Sequence, residues 1–143
     1  MALRKDAKVE MIRKVPLFGG CGKTDLRAIA GIADELAWPQ GRVIAKQGAR
    51  GREFFVIVEG SADVSIDGKK VGTLGAGDFF GEMALLTDQP RAATVTPVTP
   101  MRVLVIVDRA FRQLLDQEPA IQSKVLAAVA ARAAANEALL GSS

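Results

Sequence analysis

A mainly β fold with flanking helices, a small barrel or jelly roll, is what this sequence predicts. Three observations point there. Between positions 41 and 107 short apolar runs alternate with glycine-rich breaks. Within that stretch, Asp67-Gly68 separates two strand-like runs by the two residues that a tight hairpin turn needs. Helical spacing of apolar residues is confined to the two ends of the chain. At 143 residues, 49% hydrophobic and 24% charged, the composition is that of one ordinary globular domain with a substantial core.

The elements follow in order. Positions 1–14 mix Val9, Met11 and Ile12 with Lys5, Lys8, Arg13 and Lys14, the pattern of a short amphipathic helix. It stops before Val15-Pro16, because the residue ahead of proline is pushed out of the helical region. Thr24 is a suitable N-cap, and Leu26, Ile29, Ala30 and Ala33 follow at helical spacing, so a second helix of about three turns is expected, closed at Trp38-Pro39. Strands are expected at 43–44, 54–58, 62–66, 71–74, 93–98 and 103–107. The glycines between them are explained by turn geometry, Gly81 excepted. Asp108 caps a helix through Phe111, Leu114 and Leu115, and Pro119 suits the first position of the last one. That last helix is alanine-rich and strongly helix-favouring. Along it Ile121, Val125, Ala128, Arg132, Ala135 and Leu139 share one face, suited equally to packing on its own domain and to a second copy.

Composition excludes several functions. With a net charge of +3 and basic residues spread along the chain, a solvated surface fits better than a nucleic-acid patch. A single cysteine, Cys21, rules out a disulfide framework within one chain. Histidine is absent, which removes the usual metal ligands and general bases. The charged N-terminus lacks the apolar core of a signal peptide, and no twenty-residue apolar run exists to span a bilayer. Cytoplasmic residence is the expectation.

The most informative stretch is 79–95, FFGEMALLTDQPRAATV. Gly81 lets backbone approach a ligand where a side chain would block it. Helix-forming residues from Glu82 to Leu86 would aim unpaired N–H groups and a positive dipole end at an anion. Arg91 supplies a planar, permanently charged fork suited to phosphate oxygens. Glu82 accepts hydrogen bonds from hydroxyls but would repel a phosphate. Together they suit a ligand with an anion at one end and a sugar hydroxyl nearby.

From Gly77-Asp78-x-Phe80-Gly81-Glu82-x-Ala84-Leu85 to Pro90-Arg91-x-Ala93, this stretch resembles the phosphate-binding cassette of the cyclic nucleotide-binding domain family. That family includes regulatory subunits of cAMP-dependent protein kinase and transcription regulators of the catabolite activator type. The resemblance runs from Val15-Pro16-Leu17-Phe18 to about Leu114-Leu115. It implies a β-roll, a jelly-roll-like double-stranded β-helix, over 15–118, with a helical extension at 1–14 and a C-terminal helix, lid or dimerisation element, and flexible tail at 119–143. It implies that Arg91 pairs with the exocyclic phosphate oxygens and that the N–H groups of Ala84 and Ala92 complete the cradle. Glu82 then takes the ribose 2′-hydroxyl beside the Gly81 backbone, Met83 contributes main chain, and Ala93 completes the motif. Val64 and Leu74 are candidates to line the base.

Family members that favour cGMP often carry threonine after the arginine; Ala92 stands there, so the resemblance favours cAMP over cGMP. The chain departs from the family in its cap: it has no tyrosine, and Arg132 is the candidate to cover the base. It also ends before the helix-turn-helix of the transcription regulators. The function expected is a stand-alone cyclic nucleotide sensor that performs no chemistry, needs no cofactor and signals through its C-terminal helices to an effector or a second copy. The alternatives are a regulatory fragment of a larger regulator, channel or kinase, and a non-binding dimerisation scaffold.

Overall fold

The structure is a computed structural model that describes residues 3–141, with side chains to position 130. Among these residues the chain begins with helix α1 (Lys5–Arg13), a 3₁₀ turn (Pro16–Phe18) and helix α2 (Lys23–Gly31). The strands follow: β1 (Asp34–Trp38), β2 (Glu53–Glu59), β3 (Ala62–Ile66), β4 (Lys69–Leu74), β5 (Phe79–Phe80), β6 (Thr94–Pro97) and β7 (Met101–Val107). A 3₁₀ turn at Glu82–Leu85 lies between β5 and β6, and α3 (Asp108–Gln117) and α4 (Pro119–Gly141) close the chain.

All strand pairs are antiparallel. They form a four-stranded sheet in the order β1-β7-β2-β5 and a three-stranded sheet in the order β4-β3-β6. The expected β-roll with helices at either end is therefore what the chain forms. Two apolar cores explain the layering. Phe55, Ile57, Val103 and Val105 face the second sheet and pack with Ile44, Ala62 and Val95 inside the roll. Phe54, Val56, Leu104 and Ile106 point the other way, into a core with Ile12, Phe18, Ile29, Phe111, Ile121 and Val125 from the helices. A strand covered on both faces reads as an unbroken apolar run, which is how 54–58 and 103–107 look in the sequence. Phe18 ties the layers together, its ring 6.2 Å from Phe54 and 5.9 Å from Phe111. Burying such a ring contributes roughly 1.5–3 kcal/mol.

The Asp67-Gly68 hairpin is present, both residues at positive φ (53° and 80°) as a two-residue β-turn of this hand requires. Gln47 brackets it, accepting from the Asp67 N–H at 2.8 Å and donating to the Asp67 carboxylate at 3.0 Å.

Four expectations are corrected. Helix α3 takes Val107 as its N-cap, and Asp108 is its first residue and not its cap. The second helix ends at Gly31, and 34–38 is a strand, paired with β7 from Asp34↔Val105 to Trp38↔Met101. Asp, Glu and Ala disfavour strands by themselves; here the open edge of β7 supplies the ladder that decides the conformation. That helix is capped at Gly22, whose N–H donates to Asp25 at 3.1 Å, and not at Thr24. Positions 43–44 form no strand; an isolated bridge, Ala45↔Val95, stands next to them.

The first turns of α4 dock on their own domain: Ile121 and Val125 are fully buried in the helix-side core. Lys124 Nζ meets Asp25 at 2.6 Å, joining α4 to α2. The side chains of Arg132, Ala135 and Leu139, and the expected tail beyond Gly141, lie outside the described residues.

Candidate functional site

Strand β5, the 3₁₀ turn after it and the segment 89–95 enclose a cavity of about 430 Å³ between the two sheets. Gly81, Glu82, Met83, Ala84, Arg91, Ala92 and Ala93 all line it, and so do Val64 and Leu74. The structure thus brings every expected site residue to one hollow except Arg132, whose side chain lies outside the described residues. Phe79, Phe80, Ala45, Val95, Gln89 and Pro90 complete the wall.

Arg91 is the most constrained of these residues. Its side chain is 9% exposed. Nη2 donates to the Glu53 carbonyl at 2.8 Å and lies 3.6 Å from the Glu53 carboxylate. The guanidinium sits 5.8 Å from the centroid of Phe55, over the ring, and Phe55 in turn stacks on Phe80 at 4.9 Å. Nη1 is buried and has no hydrogen-bond partner among the described residues, leaving a donor of the fork unused. Burial pulls the guanidinium below its ordinary pKa, and the nearby Glu53 carboxylate counteracts the shift. It stays a cation, and a partly desolvated one, the state in which attraction to an anion is strongest. Asp88, close to Arg91 in the sequence, lies 3.9 Å from Arg112 of α3.

Two glycines shape the slot that holds this side chain. A Cβ on Gly81 would lie 2.3 Å from Arg91 Nη1 and 2.9 Å from the Glu53 carbonyl oxygen, and Gly81 has φ +81°. It is needed both for the left-handed backbone and for the space. Turn geometry alone accounts for Gly51 in the sequence, yet a Cβ there would meet Arg91 Nε at 1.9 Å. Sequence offered no signal for it, since its partner lies in a distant segment. The Arg91 backbone is pinned as well: its N–H donates to the Ala49 carbonyl at 2.8 Å, and its carbonyl accepts from Gly48 at 2.9 Å.

Glu82 is 6% exposed and is one of the residues lining the cavity. The Ala84 N–H, expected in an anion cradle, donates to the Gly81 carbonyl at 3.0 Å within the turn. Met83 is exposed, in keeping with a main-chain role. Leu85 faces away from the cavity into the helix-side core beside Phe111 and Leu114. One short turn therefore touches the hollow with Glu82, Met83 and Ala84 and the helices with Leu85. The lone Cys21 packs against the helix-side core, and burial, then the Asp25 charge, raise its thiol pKa, so it is poorly suited to nucleophilic work.

Comparison with known proteins bears on the fold and the family. The family model described as the cyclic nucleotide-binding domain matches residues 35–118. The chain is similar to a cAMP-dependent protein kinase regulatory subunit of Mycosarcoma maydis, with 39% identity over 74% of this chain and 22% of the relative. It is also similar to a cyclic nucleotide-gated potassium channel of Rhizobium etli, with 36% identity over 81% of this chain and 32% of the relative. It thus spans less than a third of the length of these two relatives. Among solved structures, the N-terminal domain of a transcriptional regulator from Streptomyces coelicolor shares the fold, with a TM-score of 0.83 at 21% identity over 91% of this chain and 94% of that one.

Proposed function

The chain belongs to the cyclic nucleotide-binding domain family, whose domains regulate rather than catalyse, and on that premise we propose that it senses cAMP in preference to cGMP. Arg91 holds the cyclic phosphate, with Nη1 and Nη2 facing its exocyclic oxygens and the Ala92 N–H alongside. Glu82 accepts from the ribose 2′-hydroxyl at the other end, with Gly81, Met83 and Ala93 forming the wall between. Val64 and Leu74 offer apolar contact to the base. The observation that carries this reading is the buried, preset guanidinium of Arg91 in the same 430 Å³ hollow as Glu82. A cation fixed in advance has little entropy left to lose when an anion arrives.

For cAMP over cGMP the support is Ala92, which has no hydroxyl to offer guanine, together with the kinase regulatory subunit among the relatives. For signalling the support is the cassette turn, which touches both the hollow and, through Leu85, the core beneath α3 and α4. A ligand that pulls on Glu82 and Ala84 shifts Leu85 and thereby biases how the last helices dock, by as much as its affinity for the two arrangements differs. The output passes to an effector, or to a second copy through α4. No helix among the described residues is long and apolar enough to cross a membrane.

Calorimetric titration with cAMP and with cGMP tests the reading. Saturable heat is expected for both, with the tighter binding for cAMP; folded protein that gives no heat with either would overturn it. Arg91→Ala is expected to weaken binding by roughly ten- to hundredfold, the loss of one charge-assisted hydrogen-bonded contact. Sedimentation with and without cAMP tests self-association: a shift in the monomer–dimer balance is expected.

A further inference from the structure

A second cavity, of about 560 Å³, opens on the roll-facing side of the first sheet. Its floor is apolar: Phe55 and Val105 are buried, Trp38 stands at one side, and Leu36 is 43% exposed at the mouth. Asp34 and Glu53 bring carboxylates to its lining, and no lysine or arginine lines it. Asp34 forms no ion pair among the described residues. The third acid, Glu35, is paired with Arg102. A hollow with apolar walls, one acid without an ion pair in Asp34, and a second in Glu53 whose pair to Arg91 is as long as 3.6 Å suits a ligand with an apolar body and one positive charge, and disfavours an anion.

This hollow shares a wall with the first. Glu53 lines it while its carbonyl and carboxylate hold Arg91, and Phe55 lines it while Arg91 lies over its ring. We propose that this cavity is a second ligand site, for a small apolar cation of the arylalkylammonium class, and that its occupancy strengthens nucleotide binding. The site itself stands on the cavity alone; the coupling rests on the nucleotide reading above. A cation beside Glu53 draws its carboxylate away from Arg91 and adds positive potential behind the guanidinium. Both effects favour an anion at Arg91, so the coupling is positive and, by linkage, reciprocal.

Trp38 is the single tryptophan and lines this cavity, so its fluorescence reports occupancy. Titration with benzyltrimethylammonium, with no nucleotide present, is expected to give a saturable change. Benzenesulfonate, of similar size and opposite charge, is expected to give none. Asp34→Asn is expected to weaken the cation about three- to tenfold while the far-ultraviolet circular dichroism stays unchanged. A linear response, an equal response to the sulfonate, or a response indifferent to Asp34→Asn overturns the site. The last of these would place the cation in the hollow on the other flank of Trp38, lined by Glu59 and Arg102. The cAMP titration is then repeated with the cation at saturation, where affinity is expected to rise about two- to fivefold. Unchanged affinity overturns the coupling. Failure of cAMP to bind at all, with the Trp38 signal intact, would count against the nucleotide reading and not against this cavity.

Discussion

Gly51 and Arg91 share one volume. A Cβ at Gly51 would stand 1.9 Å from Arg91 Nε and 2.1 Å from Cζ, a separation that no pair of non-bonded atoms keeps. Because the backbone φ of Gly51 is not positive, alanine there is acceptable to the chain and unacceptable only to the arginine.

Gly51→Ala is therefore expected to leave the fold in place and to push the guanidinium out of its slot, breaking its 2.8 Å bond to the Glu53 carbonyl. Cyclic nucleotide affinity should fall by about tenfold or more although Gly51 does not line the cavity. Calorimetry beside a thermal melt separates the two effects. Gly81→Ala, at φ +81°, should in addition lose about 1–3 kcal/mol of stability.

Glu82 is expected to read the ribose. Glu82→Gln should weaken cAMP by about tenfold, and 2′-deoxy-cAMP should bind the unmodified protein more weakly by a similar factor. Combining the two should cost little more than either alone, because each removes the same contact. Additive losses would show that Glu82 acts elsewhere.

Ala92 sets the choice of base in this reading. Ala92→Thr is expected to raise cGMP affinity relative to cAMP severalfold, the effect of one added hydrogen bond. Parallel titrations with the two nucleotides measure it.

The Asp25–Lys124 pair anchors α4 and has a defined pH window. The hydrogen bond from Lys124 is the main cause holding the Asp25 carboxyl below its ordinary value of 3.8. The same bond, seen from the other side, raises Lys124 above 10.5. The carboxylate's contribution is present above its unfolded pKa and is lost as pH falls through the lowered one. That of Lys124 is present below its unfolded pKa and is lost as pH rises through the raised one. The pair is thus fully effective across the neutral range. Asp25→Asn should lower the melting temperature modestly at pH 7, since both groups are partly exposed. The difference from the unmodified protein should vanish in acid below the carboxylate range, as a pH series of melts would show.

Much of the site was legible in the sequence because its parts are local. Gly81, Glu82 and Ala84 fall within four consecutive positions, and Arg91 follows before the next strand, so their types and spacing carry the chemistry without any knowledge of packing. The strands at 54–58 and 103–107 were legible for a similar reason: both faces are buried, and the run of apolar residues says so. Edge strand β1 was not, because Asp34, Glu35 and Ala37 have no strand preference until β7 lies beside them. Neither was the reach of the final helix, whose apolar face suited its own core and a second copy alike until Ile121 and Val125 were placed.

What the amino-acid order alone determined is which groups are available to meet a cyclic phosphate and that short strands would carry them. What only the tertiary structure decided is what holds the arginine in place. Glu53 and Gly51 lie far from Arg91 along the chain, and they act through a carbonyl oxygen and through an absent side chain. Neither leaves a mark on residue type or periodicity, because a backbone acceptor is common to every residue and the space beside a glycine gains its meaning only from what folds into it.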